Sequence, residues 1–366
     1  MPQEGERRRP PLSGGGEGHD EPPVGGFRAA VIGGGIFGAT AALELARAGV
    51  PVDLFERHAD LVLGTTRANQ GRLHHGYHYP RSPSADMREH AKRFATLFPE
   101  SVVTSNQHYY CVASERSHVT GSQYIDFCEK IEVPYSHHFP DAVRRDSVDV
   151  SIRVPEALID VDIVRETLRQ GLLRHRARTH FGRAVALADL EVYDLVINAT
   201  YGRMTDRALR YEVCETALVR LGPALAAQSF VVMDGPFFSL DPVPGTDLHK
   251  LYHVVHSVHA ANIGREPLIP AKLAALVDQG PVRTPLTNVR LMLGTARDFL
   301  RGMDGAEYHG SLFAVRAVLP DVDATDERPT LVDRDGRLIS ILSGKIDMAA
   351  WAAEQVVAIA RGMTAG

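Results

Sequence analysis

The sequence predicts an α/β protein built on a Rossmann-like dinucleotide-binding unit, and three observations predict it. A short apolar run, Arg28-Ala29-Ala30-Val31-Ile32, leads directly into Gly33-Gly34-Gly35-Ile36-Phe37-Gly38. Strong helix formers from Ala39 to Ala48 follow and stop at Gly49, after which Val52-Asp53-Leu54-Phe55-Glu56 alternates as a second strand. Two later strands, Tyr193–Thr200 and Gly336–Leu342, also run into glycine, at Tyr201-Gly202 and Ser343-Gly344-Lys345.

Each element follows from local pattern. The first strand, glycine turn, helix and second strand form a βαβ unit. From Leu61 to Pro83 the chain is rich in Gly, His, Tyr and Arg without clear periodicity, too long a stretch for a mere connection. Helices are expected at about 85–97, 119–131 and 159–175, with a strand at His108–Ala113 between the first two. Three β-rich stretches, 211–221, 229–240 and 250–261, and two helices within 271–301 suggest a second sheet with its own helices. Ser343-Gly344-Lys345 is expected to open a last helix that runs to about Arg361.

Composition narrows the function. The 366 residues allow two or three domains, and 44% hydrophobic with 23% charged residues is an ordinary globular mixture. No apolar run approaches the roughly 20 residues that span a bilayer. Lys+Arg 40 against Asp+Glu 45 gives a net charge of −5, which argues against broad attraction to nucleic acid or an anionic membrane. A small-molecule partner is expected, and oligomeric state is left open. Cys111, Cys128 and Cys214 form no C-x-x-C pair, so neither a disulfide framework nor a zinc site is expected, and a reducing cytoplasm suits the chain. Residues 1–26, with Arg7-Arg8-Arg9 and Gly14-Gly15-Gly16 but no following apolar stretch, are expected to be a disordered tail and not an export signal.

The spacing Gly33-x-Gly35-x-x-Gly38 has a physical logic. Gly33 permits a tight turn, Gly35 lets backbone approach a pyrophosphate, Gly38 lets helix pack on strand, and the helix N-terminus offers N–H groups to anionic oxygen. Glu56, twenty-one residues after Gly35, ends the second strand where a carboxylate accepts bonds from ribose hydroxyls. This motif alone leaves NAD and FAD both open.

With the two later junctions, the chain resembles the D-amino acid oxidase superfamily of FAD-dependent oxidoreductases. Asp194-Leu195-Val196-Ile197-Asn198-Ala199-Thr200-Tyr201-Gly202 is similar to that family's strand ending in Ala-x-Gly, with Tyr201 inserted as a bulky residue. Ser340-Ile341-Leu342-Ser343-Gly344-Lys345-Ile346 resembles its closing strand and turn beside the flavin. The resemblance implies a Rossmann-like FAD-binding domain interrupted by an inserted α+β substrate domain, the glutathione reductase type 2 fold. Residues 27–100, 149–210 and 307–363 are assigned to FAD binding, and 101–148 and 211–306 to the substrate domain. It further implies that FAD is held by Gly33, Gly35, Ile36, Phe37, Gly38, Glu56 and Arg57; by Thr65, Thr66, Asn69, Gln70 and Gly71; by Ala199, Thr200 and Gly202; and by Gly344, Lys345 and Ile346.

The segment from Thr65 to Pro80 is similar to the Ser-x-Asn-Ser-Gly-x-x-His-x-Gly-x-Tyr-Tyr pattern of the L-2-hydroxyglutarate dehydrogenase branch, which sets His74 on that branch's histidine. Gln70, Arg72 and His78 depart from it, so 2-hydroxyglutarate itself is not expected. Arg72, His75 and Tyr77 are taken as substrate-binding, for a polar substrate. Some relatives attach FAD covalently near this point, which makes His74 or His75 an alternative attachment site; noncovalent FAD is the default. Arg316, in Phe313-Ala314-Val315-Arg316, is similar to a family arginine that grips a substrate carboxylate, and Arg328-Pro329 is a rival placement.

Flavin oxidation of a C–OH or C–N centre delivers hydride to N5 and negative charge to N1 and the C2 carbonyl. Gly344 and Lys345 are placed to meet that charge, and His74 or His78 to take an alcohol proton. His253, His256 and His259 alternate faces of an expected strand, so they are not expected to share a metal. The expected function is an FAD-dependent oxidase or dehydrogenase acting on a polar small molecule, in specialised metabolism if the Ala- and Arg-rich composition reflects a GC-rich genome. A non-redox flavoenzyme, an isomerase or sugar mutase, is the alternative. No second Gly-x-Gly-x-x-Gly is present to bind NADPH, which disfavours a monooxygenase.

Overall fold

The computed structural model describes residues 26–78, 80, 86–320 and 329–364. Nearly all of the expected N-terminal tail, and Arg328, lie outside the described residues. A six-stranded sheet forms the first layer, in the order Leu331–Asp335, Leu338–Leu342, Leu195–Asn198, Ala29–Ile32, Val52–Phe55 and Arg178–His180. The last five strands are parallel, and Ile32 lies between Phe55 and Asn198 in register. Their inner residues are nearly continuous apolar runs because both faces of such a sheet are covered. Helices Ile36–Arg47, Val161–Arg174 and Ala349–Thr364 cover one face, with Leu43, Val164, Leu168 and Val356 in one buried cluster, and Val185, Leu190 and Tyr193, around the 3-10 turn Leu187–Leu190, pack on the other.

The second layer is a nine-stranded, largely antiparallel sheet. Its long central strand, Leu209–Arg220, pairs with Glu307–Val318 along its whole length, with Leu248–His253 near its end, and with Val258–Gly264 near its start. The sheet continues through Phe238–Pro242, Gln228–Met233, Gln107–Ala113 and Val148–Val154 to Ser136–His137. Phe230, Phe237, Leu240, Met292 and Phe299 pack between this sheet and helix Val289–Phe299.

Several sequence expectations change here. Strands 148–154 and 307–318 belong to the larger sheet, whereas their residues from 149 and 307 onward had been assigned to the FAD-binding part. The 229–240 stretch is two strands split by the turn Asp234-Gly235-Pro236, and 250–261 likewise splits after His253, leaving His256 in a turn. Of the two helices expected in 271–301, one is a single turn, Ala271–Ala274. The final helix begins at Ala349, preceded by a 3-10 turn, Ile346–Met348, so Lys345 caps that turn instead of starting an α-helix. The supposed loop after Leu61 contains a one-turn helix, Thr65–Ala68, and a two-residue strand, Arg72–Leu73.

Candidate functional site

The site begins where three parallel strands end. After Ile32 the chain turns at Gly33, whose φ of +101° suits glycine and whose added Cβ would lie 2.6 Å from the Ala199 carbonyl oxygen. A Cβ on Gly38 would lie 1.9 Å from the Gly33 oxygen, so strand and helix touch only because both residues are glycine. Gly35 differs. Its φ is −65°, and an added Cβ would meet nothing nearer than Thr66 Oγ1 at 3.7 Å. The space it leaves belongs to a cleft of about 310 Å³, and Gly35 caps helix Ile36–Arg47 with no side-chain bond and no acid in the first turn. The Ile36 N–H donates to Thr66 Oγ1 at 3.3 Å, and a helix start whose N-cap residue has no capping side chain attracts anionic oxygen.

Glu56 is buried at the end of the second strand. One carboxylate oxygen accepts the Gly34 N–H at 2.5 Å and the other accepts the His58 N–H at 2.8 Å, so the acid also braces the glycine turn. Arg57, Arg183 and Arg203 line the same cleft. Among the described residues the Arg203 guanidinium has no hydrogen-bond or ion-pair partner, and burial, together with the Arg57 charge, pushes its pKa down. An uncapped helix start, a glycine whose Cβ would fill the cleft, a carboxylate at the strand end and an unpartnered arginine fit FAD. Of the expected cofactor residues, Gly33, Gly35, Ile36, Phe37, Glu56, Arg57, Thr65, Thr66, Asn69, Ala199, Thr200, Gly344 and Ile346 line the cleft and would hold it, whereas Gln70 and Lys345 do not line it. Gly38 and Gly202 act behind it as packing glycines, and Gly71 donates its N–H to Asn69 Oδ1 at 2.8 Å.

A second cavity of about 640 Å³ lies under the larger sheet, and Thr65, Asn69, Tyr201 and Gly344 line both spaces. Gln70, His74, His78, Arg316 and Lys345 face this second cavity. His74 is held from below: Asp347 Oδ2 accepts its backbone N–H at 2.9 Å and meets ring Nδ1 at 3.3 Å. Asp347 is fully buried; burial pushes its carboxyl up, but the attraction and bonds of His74 prevail and hold it below the usual range. A carboxylate at Nδ1 favours the tautomer with the proton there, leaving Nε2 to accept one. The His78 ring stands edge-on to His74, centroids 5.8 Å apart. Lys345 is buried, its Nζ 3.5 Å from Met87 Sδ. Arg316 reaches Glu212, which takes its Nε at 2.9 Å and Nη2 at 2.5 Å and also pairs with Arg210 at 2.9 Å.

Three expected substrate residues are engaged by the protein itself. Arg72 lines the cavity wall but is only 2% exposed, and its guanidinium is consumed by Glu156 at 3.2 Å, Ser229 at 2.6 Å and Asp241. A buried guanidinium with those acceptors is a structural cross-link, and it is not presented to a substrate. Tyr77 is fully buried, with its hydroxyl on the Pro134 carbonyl. His75 does not line the cavity; its backbone N–H bonds Glu156 at 2.8 Å, and burial lowers the imidazole pKa.

Asp347, Glu156, Asp241 and Asp278 were missed by sequence reasoning. A signal existed: each of the first three is a lone acid in an apolar run, as in Ile346-Asp347-Met348-Ala349. The three cysteines are free and buried, with thiol pKa values pushed up by burial, to about 12 for Cys111 and Cys128. His253 caps its turn by accepting the Val255 and His256 N–H groups, while His259 bonds Glu215 at 2.8 Å. Among the described residues no cluster has the makeup of a metal site, and no helix is long and apolar enough to cross a membrane.

Comparison with known proteins agrees with this geometry. The model of the FAD dependent oxidoreductase family matches residues 28–322. The FAD-dependent monooxygenase FPY4 of Fusarium mangiferae is 27% identical over 349 residues, 90% of either chain. The FAD-dependent monooxygenase kojA of Aspergillus flavus is 27% identical over 377 residues, covering 90% of this chain and 85% of that one. Among solved structures, glycine oxidase from Geobacillus kaustophilus superimposes with a TM-score of 0.66 at 14% identity, over 91% of this chain and 93% of that one. L-proline dehydrogenase from P. horikoshii gives 0.66 at 15%, over 92% and 94%. At such identities the structural likeness concerns the fold alone.

Proposed function

Since the chain belongs to the FAD-dependent oxidoreductase family, we propose that it removes hydride from a C–OH or C–N centre of a polar small molecule in the 640 Å³ cavity. The observation that carries this reading is the His74–Asp347 pair, with His74 on the cavity wall.

Bound FAD supplies the hydride acceptor. The chain's own groups do the rest. His74 Nε2 takes the proton of a substrate hydroxyl as the C–H bond breaks, and Asp347 stabilises the imidazolium that results. His78 is its neighbour for handing that proton onward. Arg316 lines the cavity and keeps Nη1 outside its two bonds to Glu212, which suits it to a substrate carboxylate. Gly344, which lines both spaces, and Lys345, on the second cavity, would offer an N–H group and an ammonium to the negative charge that FAD takes up. Valines 231, 232, 254, 255 and 258 give the substrate's remainder an apolar wall.

The test mixes holoenzyme anaerobically with a panel of 2-hydroxy acids and amino acids and follows loss of the oxidised flavin's visible absorbance. At least one substrate bleaches the wild type, and His74→Ala keeps its FAD while losing most of the reduction rate for a hydroxy acid. A panel that never bleaches the flavin argues against the reading. Monooxygenation is the second reading, favoured by the two fungal relatives, both FAD-dependent monooxygenases; it requires an external reductant and puts an oxygen atom from O2 in the product.

A further inference from the structure

We propose that Asp278, a residue of the inserted domain, is a ligand of FAD, accepting a hydroxyl of its adenosine half and closing the larger domain over the cofactor cleft. This rests on FAD occupying that cleft.

Four observations meet at this residue. Asp278 lines the cofactor cleft, although it comes from the chain between Ala271–Ala274 and Val289–Phe299, far from any glycine motif. Its backbone is pinned, its N–H bonding the Phe313 carbonyl at 2.8 Å, yet its φ is +61°, a left-handed conformation uncommon for a non-glycine residue. Such a conformation persists only where the surroundings impose it, and it is a pointer to function. Arg57 donates to Oδ2 at 2.6 Å, with His58 Nε2 3.6 Å away, so one oxygen is fixed from the cofactor domain. The other, Oδ1, is buried with no hydrogen-bond partner.

A buried carboxylate oxygen without a donor is costly, and the cleft is where a donor can arrive. An ionised carboxylate takes a hydroxyl or amino hydrogen and repels phosphate, which narrows the partner to the sugar or base. Arg57 and His58 directly follow Glu56, the acid at the ribose end of the fingerprint, and this selects the adenosine half over the ribitol and flavin. The Arg57–Asp278 ion pair then joins the two domains across the cofactor, holding the acceptor in place.

Apoprotein is titrated with FAD by flavin fluorescence and with ADP by calorimetry, for wild type, Asp278→Ala and Asp278→Asn, alongside thermal unfolding of each apoprotein. Asp278→Ala is expected to weaken both FAD and ADP by roughly 10- to 100-fold, with Asp278→Asn recovering part of the loss because its amide oxygen still accepts. Two results overturn the inference. One is Asp278→Ala binding FAD and ADP within about twofold of wild type. The other is Asn and Ala variants losing affinity equally and in step with apoprotein stability, which makes the residue an interdomain ion pair and nothing more. Failure of the wild type to bind FAD strikes instead at the family's cofactor, so the two failures are distinguishable.

Discussion

Replacing Arg72 by leucine distinguishes a structural cross-link from a substrate clamp at the position where sequence and structure disagree most. Arg72 is buried between Glu156 and Asp241 and also donates to Ser229. Removing it strands two buried carboxylates. Glu156 keeps the Tyr110 hydroxyl at 2.8 Å and the His75 N–H at 2.8 Å, but Asp241 keeps only Ser229, and its Oδ2 has no partner to begin with. Breaking one side of a buried pair costs about 3–5 kcal/mol, and with two acids affected the upper part of that range applies, a fall in Tm on the order of 5–10 °C. Differential scanning of the apoprotein measures it without any substrate. The triple variant Arg72→Leu, Glu156→Gln, Asp241→Asn, which removes both stranded charges, should recover much of the loss. If Arg72→Leu instead unfolds within about 1 kcal/mol of wild type while KM rises steeply, the side chain serves the substrate and the structural reasoning is wrong.

Other consequences are as specific. Asp347→Asn keeps the shape but removes the charge behind His74, so anaerobic flavin reduction by a hydroxy acid should slow by about 10- to 100-fold with FAD affinity unchanged and the pH–rate profile displaced; an unmoved profile makes Asp347 merely structural. Gly35→Ala should fold normally, since its Cβ meets nothing closer than 3.7 Å, yet bind FAD at least tenfold more weakly, whereas Gly38→Ala should fail to fold; equal behaviour of the two contradicts the glycine assignments. Acid should destabilise the chain between about pH 6.5 and 4. Burial depresses His253 to about 4 and His108 to about 3, so the unfolded chain binds more protons in that window and stability rises with pH through it; Asp347, held below its ordinary value, adds a further loss only below about pH 4. A Tm flat across that range counts against those burials.

What the sequence revealed is what is local. The strand, Gly33-x-Gly35-x-x-Gly38 turn, helix and Glu56 lie within thirty residues, and each is dictated by φ, packing or hydrogen bonding between near neighbours. The pairs that build the reaction site are not local: His74 meets Asp347 across 273 positions, and Arg72 meets Asp241 across 169. No periodicity announces such a meeting, so Arg72 reads as a free cation until its two acids are seen beside it. Turn chemistry explains other differences. Asp234-Gly235-Pro236 was a legible break inside an expected strand, whereas Val254-Val255-His256-Ser257 turns with β-favouring residues and gave no warning. Strands 148–154 and 307–318 were not read from the sequence, and alternation alone does not say which of two sheets a strand joins.

The central claim is that electrons leave a C–H bond of the substrate and reach FAD directly, with His74 and Asp347 handling the proton. The most direct test is a single turnover of the holoenzyme with one bleaching substrate, without oxygen or NADPH, with the product's mass determined. The account predicts stoichiometric flavin reduction and a product lighter by two hydrogens. Flavin that is reduced only by NADPH, with a product carrying an oxygen atom taken from O2, would contradict it.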